Sequence, residues 1–220
     1  LGASLSDAPA ASATALAGRL RQSDMGGPRR ALVSAIEQAG VALIAGRAGS
    51  ALTDILGGAE RESVPFYANI NRGITDRSPE GFAAQAARIM AETDAAGIKI
   101  APFDGYHHAR SGLTDAEALI ERGLDRVAAV REAVPDRLLL VDCHARFDPF
   151  AARRMMSGLA LHDVWWVEEP CDMGSLSPRD QRALRGVAND HGLRLAGGET
   201  VSGLGEMADL IEAGGHDVVL

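Results

Sequence analysis

Three carboxylates end short apolar runs. They are Asp142 in Val141-Asp142-Cys143-His144, Glu168 in Val167-Glu168-Glu169-Pro170, and Glu199 in Gly197-Gly198-Glu199. They lie 26 and 31 residues apart, each close to the length of one βα unit. Neighbouring strands would then aim all three at one mouth. Clustered carboxylates repel and stay ionised only around a cation. Oxygen-only donors suit a hard ion such as Mg²⁺, which keeps open positions for water or substrate. The plain alternative is that acidic residues end strands to keep a rim soluble. That alternative serves well for any one position. Three in consecutive units argue for the cation. Net charge points the same way. At −8, the surface repels anions at long range, so an anionic substrate needs a local cation.

Elements of two kinds must position these residues. Residues 1–60 read as helical. Ala10–Arg21 is Ala-rich with Leu16 and Leu20 one turn apart, and Gly26-Gly27-Pro28 breaks it. A helix follows from about Arg29 to Arg47, then a short one through Leu52, Ile55 and Leu56 that stops at Gly57-Gly58. From residue 64 apolar runs alternate with amphipathic helices. The expected strands are Val64–Ile70, Ile98–Phe103, Leu138–Asp142, Val164–Val167, Leu193–Ala196 and Asp217–Leu220. Helices are expected near 79–95, 114–133, 148–160, 178–190 and 203–213. Ser78-Pro79 and Ser177-Pro178 place Pro at a first helical position. Thr114-Asp115-Ala116-Glu117 reads as a capping box.

Alternating βα units imply a parallel sheet, because each crossover needs a helix. Nearly uniform apolar strands fit a sheet covered on both faces. No GxGxxG follows the first strand, which disfavours an open nucleotide-binding sheet. The expected fold class is therefore α/β, a TIM-type (β/α) barrel. Six βα units are visible, and six strands are too few to close it.

Composition bounds the function classes. Of 220 residues, 46% are hydrophobic, which allows a sizeable core. No Lys/Arg run marks a nucleic-acid surface. No uninterrupted run of about 18 apolar residues marks a membrane span. The Ala/Ser-rich start lacks the basic region of a signal peptide. Cys143 and Cys171 form no CxxC pair, so a reducing cytoplasm is expected.

From about residue 28 to 220 the chain resembles the mandelate racemase/muconate lactonizing enzyme branch of the enolase superfamily. Val-Asp-Cys-His, Trp-Val-Glu-Glu-Pro and Gly-Gly-Glu-Thr look like its three metal-ligand segments, in order. The resemblance implies Asp142, Glu168 and Glu199 as Mg²⁺ ligands, with Glu169 a neighbour that does not ligate. It implies a barrel over 61–220, incomplete at its C-terminal side, and a partial α+β capping domain whose helical part is 1–60. It also implies a homo-oligomer acting on a small carboxylate, while composition argues against nucleic acid or membrane as partner.

Lys99 in Lys99-Ile100-Ala101 matches the first lysine of the Lys-x-Lys pair found in racemase-like members. Its place implies a role in neutralising the substrate carboxylate. The alternative is a rim lysine paired with Asp142 or Glu168. Ala101 stands where the second, basic lysine would be, which disfavours a racemase. His144 follows Asp142 by two residues, so an extended backbone puts both on one side. Asp-x-His here resembles the acid-sugar dehydratases, in which the His is the general acid for the 3-hydroxyl; a hydrogen-bonded rim His is the other reading. The branch's usual base, a His on the seventh strand with an Asp after the sixth, would lie beyond Leu220.

Asn69, Asn71 and Arg146 could bind substrate, but strand-end turn chemistry and a surface arginine explain them as simply. Tyr106-His107-His108 reads as a solvated loop, and Trp165 and Trp166 as packing, one ring inward and one outward. The expected activity is a Mg²⁺-dependent lyase that removes the proton α to a carboxylate and dehydrates a sugar acid. The alternatives are a racemase, epimerase or cycloisomerase of another carboxylate, and a non-catalytic member that only binds metal and ligand.

Overall fold

The computed structural model describes residues 27–201 and 203–220. The helix expected over Ala10–Arg21 lies outside them. Two compact units are present. One holds residues 27–64 with the stretch around 200–204; the other holds Pro65–Glu199 and Gly205–Leu220.

In the first unit, α1 runs Gly27–Ala48 and α2 Leu52–Ile55. The sequence contains no unbroken apolar run of membrane length, yet α1 is long and apolar enough over Pro28–Ala48 to cross a membrane by length and composition. Averaging along a helix tolerates Glu37 and Gln38, which a search for an unbroken run does not. The core helix of a soluble protein meets the same test.

The second unit is a parallel sheet of six strands in the order β1-β2-β3-β4-β5-β6. β1 is Tyr67–Asn69, β2 Gly97–Ile100, β3 Leu138–Asp142, β4 Val164–Glu168, β5 Arg194–Gly197 and β6 Val218–Val219. The helices between them are α3 (Pro79–Glu92), α4 (Leu113–Ala133), α5 (Pro149–Leu159), α6 (Pro178–Asp190) and α7 (Leu204–Ala213). Sequential order separates this sheet from a doubly wound one, where the order reverses at a switch point. Right-handed crossovers then put every helix on one side and leave the other side to line an interior.

Period-two alternation divides the strands between those sides. Ile98, Ile100, Leu139, Val141, Val167 and Leu195 join the large core with Phe82, Val127, Met155 and Leu184 from the helices. Leu140, Trp166 and Ala196 form a second, smaller cluster with Trp165 and Val218 at its margin. Trp166 is thus the buried ring of the tryptophan pair, and Trp165 stays partly exposed.

Side-chain caps start three of the helices. Ser78 accepts from the Gly81 amide at 3.1 Å, Ser177 from that of Asp180 at 3.2 Å, and Asp148 from those of Phe150 and Ala151. α4 differs from expectation. It begins at Leu113, its N-cap is Gly112, and no side chain caps it. Thr114, expected at the cap, thus stands inside the first turn, because the helix starts one residue earlier.

Candidate active site

The strand register places the candidate residues in layers. Lys99 pairs with Leu140, and Leu140 with Trp166; Asp142 pairs with Glu168, and Glu168 with Ala196. Lys99 thus starts one layer below the two carboxylates and reaches up between them. Its Nζ lies 2.7 and 2.8 Å from the two oxygens of Glu168, and 3.9 Å from Oδ2 of Asp142. All three side chains are buried. The Tyr67 ring sits under the ammonium, 5.3 Å from ring centre to Nζ, and meets Trp166 edge-on.

Burial works against the Lys99 charge. The Glu168 hydrogen bond and the charges of Glu168 and Asp142 outweigh it, and the ammonium is held above its ordinary pKa. Burial pushes the Glu168 carboxyl up, the Lys99 hydrogen bond pulls it down, and nearby Asp142 and Glu199 push it up again. Two carboxylates sharing a buried layer need positive charge, and Lys99 supplies it.

Past Asp142 the chain leaves extended geometry. His144 and Ala145 both have left-handed backbones, with φ of 49° and 54°. Simple alternation therefore does not place His144. The turn does, and it brings the imidazole to the same carboxylate: Nε2 lies 3.0 Å from Asp142 Oδ2, and the His144 amide donates to Oδ1 at 3.0 Å. The ring is half exposed, and so faces both the acid and the solvent side of the mouth.

The third carboxylate sits differently. β5 ends at Gly197, Gly198 turns through φ 106°, and Glu199 stands exposed three residues beyond the layer of Ala196. Among the described residues, no three His, Cys, Asp or Glu side chains already converge as a metal site. Asp142, Glu168 and Lys99 are brought together; Glu199 acts on Glu168 only through its charge. The donor set still fits a hard cation: two buried carboxylates on adjacent strands and a third on the next strand's loop, with no thiolate among them.

Other candidates are engaged in holding loops. Asn71 accepts from the Ala101 amide and donates to Asn69 Oδ1 at 2.9 Å, tying the end of β1 to that of β2. Arg146 donates to the carbonyls of Asp104 and Tyr106, each at 3.1 Å. Tyr106 is buried, with its ring 4.6 Å from that of Phe147, so the loop after β2 is not wholly solvated. An aromatic ring next to solvent-preferring histidines concealed that packing in the sequence.

Sequence reasoning overlooked Arg77, Asp104 and Arg126. Arg77 and Arg126 both pair with Asp104 at 2.9 and 2.7 Å, and both guanidinium groups lie over Phe82. No motif announces this clamp; Arg126, nearly buried on an otherwise apolar helix face, was the available signal.

The family model described as Enolase C-terminal domain-like matches residues 81–220. The chain is similar to D-gluconate dehydratase of Thermoproteus tenax, 30% identical over 188 residues, which is 85% of this chain and 35% of that protein. It is also similar to D-galactarolactone cycloisomerase of Agrobacterium fabrum, 29% identical over 78% of this chain and 40% of that one. A solved enolase protein from the environmental genome shotgun sequencing of the Sargasso Sea superposes with a TM-score of 0.74 at 28% identity, covering 97% of this chain and 56% of that one. The chain therefore matches well under two thirds of the length of each of these relatives.

Proposed function

The chain belongs to the Enolase C-terminal domain-like family, and on that premise we propose that the whole protein is a Mg²⁺-dependent lyase dehydrating a sugar acid. One observation carries the reading: Lys99, Glu168, Asp142 and His144 stand in contact at the C-terminal ends of β2, β3 and β4. That end of a barrel is where its active sites lie. Resemblance to a sugar-acid dehydratase over most of the chain favours a substrate of this class.

Asp142, Glu168 and Glu199 are the residues that would hold the metal. A bound Mg²⁺ would supply positive charge where the substrate carboxylate gains negative charge as its α-proton passes to a base, which the family resemblance puts beyond Leu220. Lys99 adds a fixed ammonium in the same layer, already desolvated. His144 would act as the general acid. With Nε2 held by Asp142 Oδ2, the proton on the other ring nitrogen, Nδ1, passes to the 3-hydroxyl oxygen, the C3–O bond breaks, and water departs as the C2–C3 double bond forms. Asp142 orients the ring for that donation. The resulting enol tautomerises to a 2-keto-3-deoxy acid. A cytoplasmic homo-oligomer is the setting this reading adopts.

A cycloisomerase or epimerase is the second reading, favoured by the cycloisomerase relative. The test uses the full-length protein with Mg²⁺ in D₂O and a library of sugar acids. The dehydratase reading expects a 2-keto acid from one of them, no turnover in Asp142→Asn, and a loss of about 10²- to 10⁴-fold in His144→Ala. Deuterium at C2 without keto acid would replace it with the isomerase reading. Mg²⁺ binding without any turnover would leave a non-catalytic binding protein.

A further inference from the structure

Gly197, at the end of β5, has two polar neighbours where a side chain would start. Glu169 Oε1 and His216 Nε2 each lie 2.8 Å from the point a Cβ would occupy. Glu169 reaches that point from a left-handed backbone, φ 39°, just past β4. Its Oε1 accepts from the Gly198 amide at 2.8 Å. The Glu169 amide in turn donates to the Ala196 carbonyl at 3.0 Å. Glu169 therefore stitches the end of β4 to the turn that delivers Glu199.

His216 lies two residues before β6. Both of its ring nitrogens are buried without a hydrogen-bond partner among the described residues. A buried imidazole usually satisfies at least its N–H. The nearest carboxylate oxygen across the Gly197 gap is the one that already holds Gly198. Asp217 and Arg185 act on the ring as charges, with opposite signs.

We infer that His216 is a positioning residue, whose Nε2–H faces Glu169 across the Gly197 gap and so fixes the Gly198 amide and the Glu199 side chain after it. The link is a hydrogen bond made through one water. Glycine at 197 is the condition for it, since any side chain there would fill the gap. This extends the Mg²⁺ reading, because Glu199 is the carboxylate that stands apart and has most to gain from being placed. Partners behind a metal ligand typically change metal affinity by about 10- to 100-fold when removed.

The test has a metal-free arm and a Mg²⁺ arm, both on the full-length chain. In the first, the exchange rate of the Gly198 amide is followed by NMR in the absence of divalent ions. His216→Phe should speed it about tenfold, and His216→Gln should keep it near the parent rate. In a Glu169→Ala background, His216→Phe should change nothing further. Equal exchange in parent and His216→Phe overturns the inference. So does an equal acceleration in both backgrounds, which marks a merely structural ring. Should His216→Phe not fold, the ¹⁵N shifts of the parent ring decide: the Nε2–H tautomer supports the link and the Nδ1–H tautomer overturns it. In the second arm, calorimetry with Mg²⁺ alone should show about tenfold weaker binding in His216→Phe, recovered in His216→Gln. A parent that binds no Mg²⁺ but shows the exchange pattern sinks the metal reading and leaves the His216–Glu169 link standing.

Discussion

Lys99 is a cation with its own anions, and removing it should expose how much they depend on it. Lys99→Met leaves Asp142 and Glu168 facing each other in a buried layer with no positive charge. Breaking a buried pair from one side costs about 3–5 kcal/mol, because the remaining charge is uncompensated. Urea unfolding without divalent ions should show a loss of that size. The pH dependence follows from the raised Lys99 pKa. A raised folded value means stability fully present below the unfolded pKa, near 10.5, and lost as pH rises through the higher folded value. Lys99→Met should therefore lack that part of the alkaline fall. The residue types here were legible: acids ending consecutive strands, a lysine one strand earlier, a histidine after the first acid. The position of Glu199 was not. Gly197-Gly198 permits the turn that carries it outward, and spacing alone does not say which way a diglycine turns.

At the scale of elements, close packing of helices against the strands and the loops that follow them sets the tolerance. Gly123 lies inside α4, where alanine would ordinarily add about 1 kcal/mol through helix propensity. Here an added Cβ would stand 2.1 Å from the Phe103 ring, which is fully buried. Overpacking costs about 1–3 kcal/mol, so the clash should win. Gly123→Ala should lower the melting temperature despite the better helix former. Asp217 tests the junction of α6 with β5. It accepts from Arg185, Asn189 and the Leu195 amide. Burial opposes its ionisation, but those hydrogen bonds win and hold its pKa below 3.8. A depressed value means stability present above pH 3.8 and lost as pH falls through the folded value. Asp217→Asn should be less stable than the parent at pH 7, by about 1–3 kcal/mol. The gap should narrow in acid denaturation below pH 4, as the parent carboxyl takes up its proton. The elements themselves were readable because local signals agreed: Ser-Pro starts, apolar runs of strand length, glycines between. α4 was displaced because its first turn carries an acid and a hydroxyl that imitate a cap. Tyr106 was misjudged because its partner, Phe147, lies on another loop.

For the molecule as a whole, a ligand that binds only the folded state must stabilise it. At a hundredfold excess over its Kd, Mg²⁺ should add about 2.7 kcal/mol. For a chain of this size that is roughly 5–10 °C in melting temperature. Calorimetric scans with Mg²⁺ and with EDTA should show the difference, and Asp142→Asn should abolish it. The barrel character was legible in the sequence because βα alternation is a global pattern, and the sequential strand order agrees with it. Contacts spanning several units were not. The Arg77–Asp104–Arg126 clamp and the approach of His216 to Glu169 join residues far apart in the chain, which no local pattern encodes.

Cys143 sits beside Asp142 in the chain but on the opposite face of the sheet. Its sulfur lies in the helix-side core with Phe147 and Met155, with no exposed surface. Strand alternation thus separates the softest donor in the neighbourhood from the carboxylate layer by the thickness of the backbone. Among the described residues at the mouth, cadmium ions or an organomercurial meet carboxylate oxygens, an ammonium and the His144 imidazole, and no thiolate. Cys143 should therefore resist thiophilic reagents in the folded state, until unfolding brings its sulfur into reach.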